Sequence, residues 1–282
     1  MHAAEPLPDT EVSLYRKLLP GTRTRLTPRI VTTASLTSHV HSLPGPAGSP
    51  GPVFVLLHGI GMSHRYYRRL QVLLARHGDT LAIDLPGFGG TPKPERQLSI
   101  ADYATHTAAT LEKMGVDRAV LVGHSMGAQF VTELALQRPD MVSHVVLLGP
   151  VVDPARRTVF QQCLSLGLDS LLESPLGNAT VFSDYVRSGP RWYLTELPVM
   201  MTYALEARLA LVSQPALVIR GSRDPVAAQP WCEKLAATAP NGRFVEIPGK
   251  PHIVQHGGAA GTAAAILDFH RLQTASHPAV EE

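Results

Sequence analysis

Three residues of this chain have the types and the spacing to do covalent chemistry together: a serine, a carboxylate and a histidine, each in a turn after an apolar run. The serine is Ser125, within Gly123-His124-Ser125-Met126-Gly127. Residues 119–122, Ala-Val-Leu-Val, have the length and composition of a β-strand. Residues 128–138 read as a helix that ends before Pro139. A serine on a tight turn between strand and helix is the nucleophile-elbow pattern. Such a turn is strained, and side chains at its flanking positions would collide with the strand and helix beside it, which accounts for Gly123 and Gly127. The turn lifts Oγ clear of the sheet edge. It also leaves the Met126 amide at a helix start, aimed at any negative charge that forms beside the serine.

A serine hydroxyl is a poor nucleophile at neutral pH. It needs a base to take its proton, and the base needs an acid to orient it. In the elbow arrangement the chain order is serine, acid, histidine, each after a strand. Asp224, in Gly221-Ser222-Arg223-Asp224-Pro225, follows the strand at 216–220 and is the expected acid, with Asp153 the alternative. The plainer reading of this segment is an ordinary turn, since Gly-Ser and Asp-Pro are common turn formers. His252, in Pro248-Gly249-Lys250-Pro251-His252, follows the strand at 243–247 and is the expected base, with His256 in reserve. His58 and His124 flank turn glycines and are expected to brace loops through hydrogen bonds. An oxyanion hole needs two preorganised donors. The Met126 amide supplies one. The second falls in His58-Gly59-Ile60-Gly61, with the Ile60 amide preferred and Gly61 the alternative.

The elements that must hold these residues alternate. Residues 22–42 suggest two antiparallel edge strands, and 43–52 form a Pro/Gly loop. Strands are expected at 53–57, 80–84, 119–122 and 142–148, with helices at 65–77, 100–114 and 128–138 between them. Leu70, Leu73 and Leu74 form the core face of the first of these helices, and Arg65, Arg68 and Arg69 its solvated face. Ser99 and Asp102 cap the second and Gly115 closes it. The alternation predicts a mostly parallel sheet with helices on both faces. It stops at Gly149-Pro150. Residues 151–213 carry helix-like runs at 156–172, 179–188 and 192–211, broken by Pro175, Gly177, Gly189 and Pro190. They are rich in large apolar residues, among them Phe160, Phe182, Trp192, Tyr193, Met200 and Met201. This insert leaves from the strand ends where open α/β sheets bind ligands, so it reads as a helical lid. The sheet resumes at 216–220 and 243–247, with helices near 230–239 and 261–272. The organisation is a core of 1–150 and 214–282 with a lid of 151–213.

Composition narrows the function. Among 282 residues, 25 Lys and Arg stand against 23 Asp and Glu, which leaves no electrostatic footprint for nucleic acid or an anionic membrane. No apolar run is long enough to span a bilayer. The first eleven residues lack the form of a signal peptide, and Cys163 and Cys232 suggest thiols in a reducing compartment, so the cytoplasm is the expected location. The 13 histidines are scattered, with no metal-ligand spacing.

In order, His58-Gly59-Ile60-Gly61, Asp84-Leu85-Pro86-Gly87-Phe88-Gly89, Gly123-His124-Ser125-Met126-Gly127, Gly221-Ser222-Arg223-Asp224 and Pro251-His252 resemble the α/β-hydrolase family over residues 53–269. The resemblance implies an α/β-hydrolase fold and a serine hydrolase that cleaves a carboxylic ester or related acyl substrate through an acyl-enzyme. Other branches of the family are lactonases, carbon–carbon bond hydrolases and non-catalytic receptors. Dehalogenases and epoxide hydrolases carry Asp where this chain has Ser125, and the meta-cleavage hydrolases pair Gly-Asn-Ser with His-Trp, where this chain has Gly123-His124-Ser125 and His252-Ile253. Ser125, Asp224 and His252 are then the catalytic set, Ile60 and Met126 the oxyanion donors, and Gly61, Met62, Val151 and Trp192 the expected pocket wall. The expected substrate is a small molecule with a hydrophobic acyl group. No metal or organic cofactor is implied, and a homodimer is compatible with the fold.

Overall fold

The computed structural model describes residues 28–47, 51–154, 168–169 and 171–276. Eight strands, β1 (Arg29–Thr33), β2 (Leu36–Leu43), β3 (Phe54–Leu57), β4 (Thr80–Asp84), β5 (Ala119–His124), β6 (Val142–Leu148), β7 (Ala216–Gly221) and β8 (Gly242–Ile247), form one sheet. Their order is β1-β2-β4-β3-β5-β6-β7-β8. The pairs β1–β2 and β2–β4 are antiparallel and the others parallel, so the expected edge hairpin sits on an otherwise parallel sheet. The central strands are buried on both faces, which is why they read as continuous apolar runs. Their alternate residues feed two cores. Val55, Leu57 and Leu121 pack toward Leu111, Phe130 and Val131. Phe54, Leu56 and Val122 pack toward Leu70, Leu74 and Phe269.

The helix Ile100–Met114 has the expected termini. Ser99 and Asp102 form a reciprocal capping box, and Gly115 closes the helix with a left-handed backbone. The first crossover differs from expectation. A 3-10 turn, His64–Tyr67, precedes a short helix, Arg68–Leu74. Helical spacing missed this break because Tyr66 and Tyr67 both turn inward, and their hydroxyls bond the backbone of Gly59 and Leu57. Nor do the arginines make one solvated face: Arg65 pairs with Asp184 at 3.0 Å, and Arg69 alone of the three is exposed.

In the insert, Pro175 and Pro190 begin helices instead of breaking them, as proline does in a first turn. The run expected at 192–211 is two helices, Pro190–Thr202 and Leu205–Leu209, separated by extended backbone at Tyr203. Trp192, Met200 and Met201 are buried, whereas Phe182 is 71% exposed. The helix expected at 156–172 falls largely outside the described residues, as do the lead-in 1–20 and Cys163. No described helix is long and apolar enough to cross a membrane.

The helix Gly127–Gln137 lies so close to β3 that a Cβ on Gly127 would stand 2.2 Å from the Leu57 carbonyl oxygen. Gly127→Ala should therefore lower the unfolding free energy by about 1–3 kcal/mol through overpacking. Ser99→Ala should lose about 1 kcal/mol, the worth of one cap. Urea denaturation of both variants checks the ranking.

Candidate active site

β5 delivers Ser125 on a left-handed backbone, φ 56°, a conformation that costs a non-glycine residue roughly 1–3 kcal/mol. The surroundings enforce it. A Cβ on Gly123 would meet the Gly127 carbonyl oxygen at 2.1 Å, and one on Gly59 would meet Ser125 Cβ at 3.0 Å. Ser125 is anchored on both sides: its amide donates to Leu148 O at 2.9 Å, and its carbonyl accepts from the Ala128 amide at 3.0 Å.

β8 ends at Ile247, and the turn after it carries His252 into the cavity that Ser125 also lines. His252 Nδ1 donates to Asp224 Oδ2 at 2.8 Å. The other oxygen of Asp224 accepts the Val226 and Ala227 amides at 2.7 and 2.9 Å. Arg220, on β7, clamps this turn from beneath by donating to the carbonyls of Asp224 and Ala227. It also pairs with Glu246 of β8. Asp224, the expected acid, is thus the carboxylate at the ring. His256 lies outside the cavity wall, bonded through its carbonyl to Arg69.

Burial alone would lower the His252 pKa from 6.5, but the charge of Asp224 and its hydrogen bond, helped by Asp169 and Glu173, raise it to about 9. The folded ring therefore holds its proton more tightly than the unfolded chain does. That pairing adds stability which is whole below pH 6.5 and is lost as pH rises through about 9.

Gly59 and Ile60 follow β3 beside the serine, and Ile60, Met62 and Val151 line the cavity as expected. Among the described residues neither the Ile60 nor the Met126 amide donates a hydrogen bond; Ile60 lines the cavity and Met126 is buried behind it. The two other expected wall residues do not line the cavity. Gly61 lies under Tyr185, whose ring leaves no room there for a side chain. Trp192 packs on Gly87 and Phe88. His58 and His124 brace loops: His58 Nε2 accepts the Leu85 amide at 3.1 Å and Nδ1 donates to Gly59 O at 2.8 Å.

Among the wall residues that sequence reasoning missed are Tyr66, Asp169, Glu173 and Tyr185. Asp169 and Glu173, four apart, accept the amides of His252 and Ile253 at 2.8 and 2.9 Å. Burial raises both, Glu173 to about 7, as does the negative charge nearby. Their i, i+4 spacing was the available signal. The described walls carry no lysine or arginine, and Arg187 and Arg191 are exposed. Arg156 and Arg157 lie outside the described residues. Cys232 is no rival nucleophile, because burial pushes its thiol up.

Away from this cavity, His41, His64 and Asp84 bring three potential ligand atoms within 4.8 Å of one another. The two imidazoles are stacked, with centroids 3.4 Å apart and planes 13° from parallel. Their in-plane lone pairs cannot meet at one ion. Both rings instead share Asp84 Oδ2, at 3.1 and 2.9 Å, as a brace for the loop after β4.

A family model described as the alpha/beta hydrolase fold matches residues 52–164. A 2-(acetamidomethylene)succinate hydrolase from Mesorhizobium japonicum is 24% identical over 78% of this chain and 88% of its own length. An enol-lactonase from Burkholderia xenovorans superposes with a TM-score of 0.74 at 20% identity, covering 86% of this chain and 100% of that one. A meta-cleavage product hydrolase from Pseudomonas fluorescens gives 0.71 at 17% identity, covering 88% and 98%.

In ¹⁵N NMR the His252 ring should stay doubly protonated up to about pH 9. Asp224→Asn should lower that midpoint by about 1–3 units by removing the nearest opposite charge. An unchanged midpoint would mean that Asp224 does not set the protonation of the ring.

Proposed function

Because this chain has the α/β-hydrolase fold, we propose that it is a serine hydrolase that opens a neutral carboxylic ester or related acyl substrate through an acyl-enzyme. The observation that carries this reading is Ser125 on its left-handed turn, sharing a cavity with a His252 that is paired to Asp224. His252 Nε2 takes the proton of Ser125 as Oγ attacks the carbonyl carbon. The Ile60 and Met126 amides hold the oxyanion, each such donor being worth about 10²–10³ in kcat. His252 then protonates the leaving group, and water releases the acid by the reverse path. Asp224 keeps Nδ1 protonated, so when the ring gives up one proton, which with its raised pKa becomes easier toward about pH 9, Nε2 is the nitrogen left to act as base.

The helices Pro175–Ser188 and Pro190–Thr202 act as a lid, contributing Tyr185, Tyr193 and Met200 to the wall. The wall is less apolar than the sequence alone suggests. Asp169 and Glu173 make it hostile to a second carboxylate, and Ile60, Met62, Val151 and Val181 welcome hydrocarbon. Each buried CH₂ is worth about 0.8 kcal/mol.

Ser125→Ala should lose at least about 10⁴-fold in kcat. Asp224→Asn should lose about as much, and Asp153→Asn far less. More than a tenth of wild-type kcat in Ser125→Ala would end this reading, and the reverse ranking of the two aspartates would move the acid.

The substrate is read separately, with p-nitrophenyl esters. kcat/KM should rise from acetate to hexanoate and fall by about tenfold or more for the adipate monoester, where a carboxylate replaces the terminal methyl. A preference for adipate would show that the two wall carboxylates do not govern the pocket.

A further inference from the structure

Resting on the hydrolase reading, we propose that Tyr66 and His124 are positioning residues. They form one hydrogen-bonded strut that fixes the Ile60 amide and the base His252 relative to each other. The strut runs in one direction. The Gly59 amide donates to Tyr66 Oη at 2.8 Å. Tyr66 Oη stands 3.0 Å from His124 Nδ1. His124 Nε2 stands 3.2 Å from the His252 carbonyl oxygen. A carbonyl only accepts, so Nε2 carries the proton, and burial together with the neighbouring His252 keeps His124 neutral. Nδ1 is then an acceptor, and the Tyr66 hydroxyl donates its one proton to it. No polar atom along this path is left over, and Tyr66 and His124 are both buried.

Each end of the strut sits where a small shift changes the chemistry. At one end, Gly59 is held by its amide through Tyr66, and its carbonyl accepts from His58 Nδ1 at 2.8 Å and the Met62 amide at 3.2 Å. In a trans peptide the next N–H points opposite to that carbonyl, so pinning Gly59 O aims the Ile60 amide. At the other end, His252 is held by its carbonyl through His124 and by its amide through Asp169 at 2.8 Å. The two groups belong to loops far apart in sequence, after β3 and after β8. Tyr66 and His124 join them directly. Tyr67, next to Tyr66, donates its hydroxyl to Leu57 O.

The test uses the full chain and a p-nitrophenyl ester. Tyr66→Phe removes one oxygen and should lower kcat by roughly 10–100-fold with KM within about threefold, the signature of misplacement and not of lost substrate contact. His124→Phe should do the same, and the double variant should be about as impaired as the worse single, because both changes break one strut. Losses that multiply, or a Tyr66→Phe enzyme with wild-type kcat, would overturn the proposal. Amide NMR gives a readout independent of turnover: in Tyr66→Phe the Ile60 and His252 amide signals should both move. Movement confined to Ile60 would also overturn it. If Tyr66→Phe does not fold, His124→Gln takes its place in the same NMR comparison. A wild-type protein that turns over no ester and takes no fluorophosphonate would defeat the hydrolase reading, and the NMR result would still decide the strut.

Discussion

The left-handed backbone at Ser125 is the constraint on which the rest of the site depends. An L-residue does not hold that conformation unless its neighbours over-determine it. Here they do so by contact. Gly123 and Gly127 let the strand and helix backbones pass at distances that no side chain would allow, and Gly59 closes the third side. Because the helix Gly127–Gln137 is pressed onto β3, the loop after β3 must lie beside the serine. The loop that carries Ile60 therefore lies beside the elbow that carries Ser125 and Met126. The strain is local, and it is held in place by two apolar cores, one on each face of the sheet.

Electrostatics then set the working range of the site. Three carboxylates surround His252: Asp224 on its ring, and Asp169 and Glu173 on the backbone of its loop. Together they overcome the cost of burying the ring and favour the cation. An imidazolium that is stabilised while the oxyanion forms lowers the barrier, but a ring that keeps its proton is a weaker base. Asp169 and Glu173 thus have two effects at once. They hold the His252 loop by its amides, and they put two carboxyl groups on the cavity wall.

What could be read from the sequence follows the range of the forces involved. Ser125 and its glycines, the capping box of Ser99 and Asp102, and the buried strands are local or periodic signals, and they lie where residue spacing puts them. Asp224 and His252 were legible because strand order fixes which turns face the serine. Tyr66, Asp169 and Glu173 were not, because their roles are hydrogen bonds to loops that only the folded sheet brings near. Trp192 looked like pocket because it is large, apolar and in the insert. It sits instead on Gly87 and Phe88, where the insert meets the loop after β4. Pro175 and Pro190 misled in the opposite sense, since a proline that ends one helix and a proline that begins another look alike in a single sequence.

The central claim is covalent: Ser125 carries the acyl group between substrate and water. Mixing the protein with a p-nitrophenyl ester, quenching in acid within milliseconds and mapping the digest by mass spectrometry tests it directly. The account predicts one acyl group on the peptide that contains Ser125, formed in a burst and absent when His252 is replaced by alanine. An acyl group on any other residue, or steady turnover with no covalent species on Ser125, would contradict it.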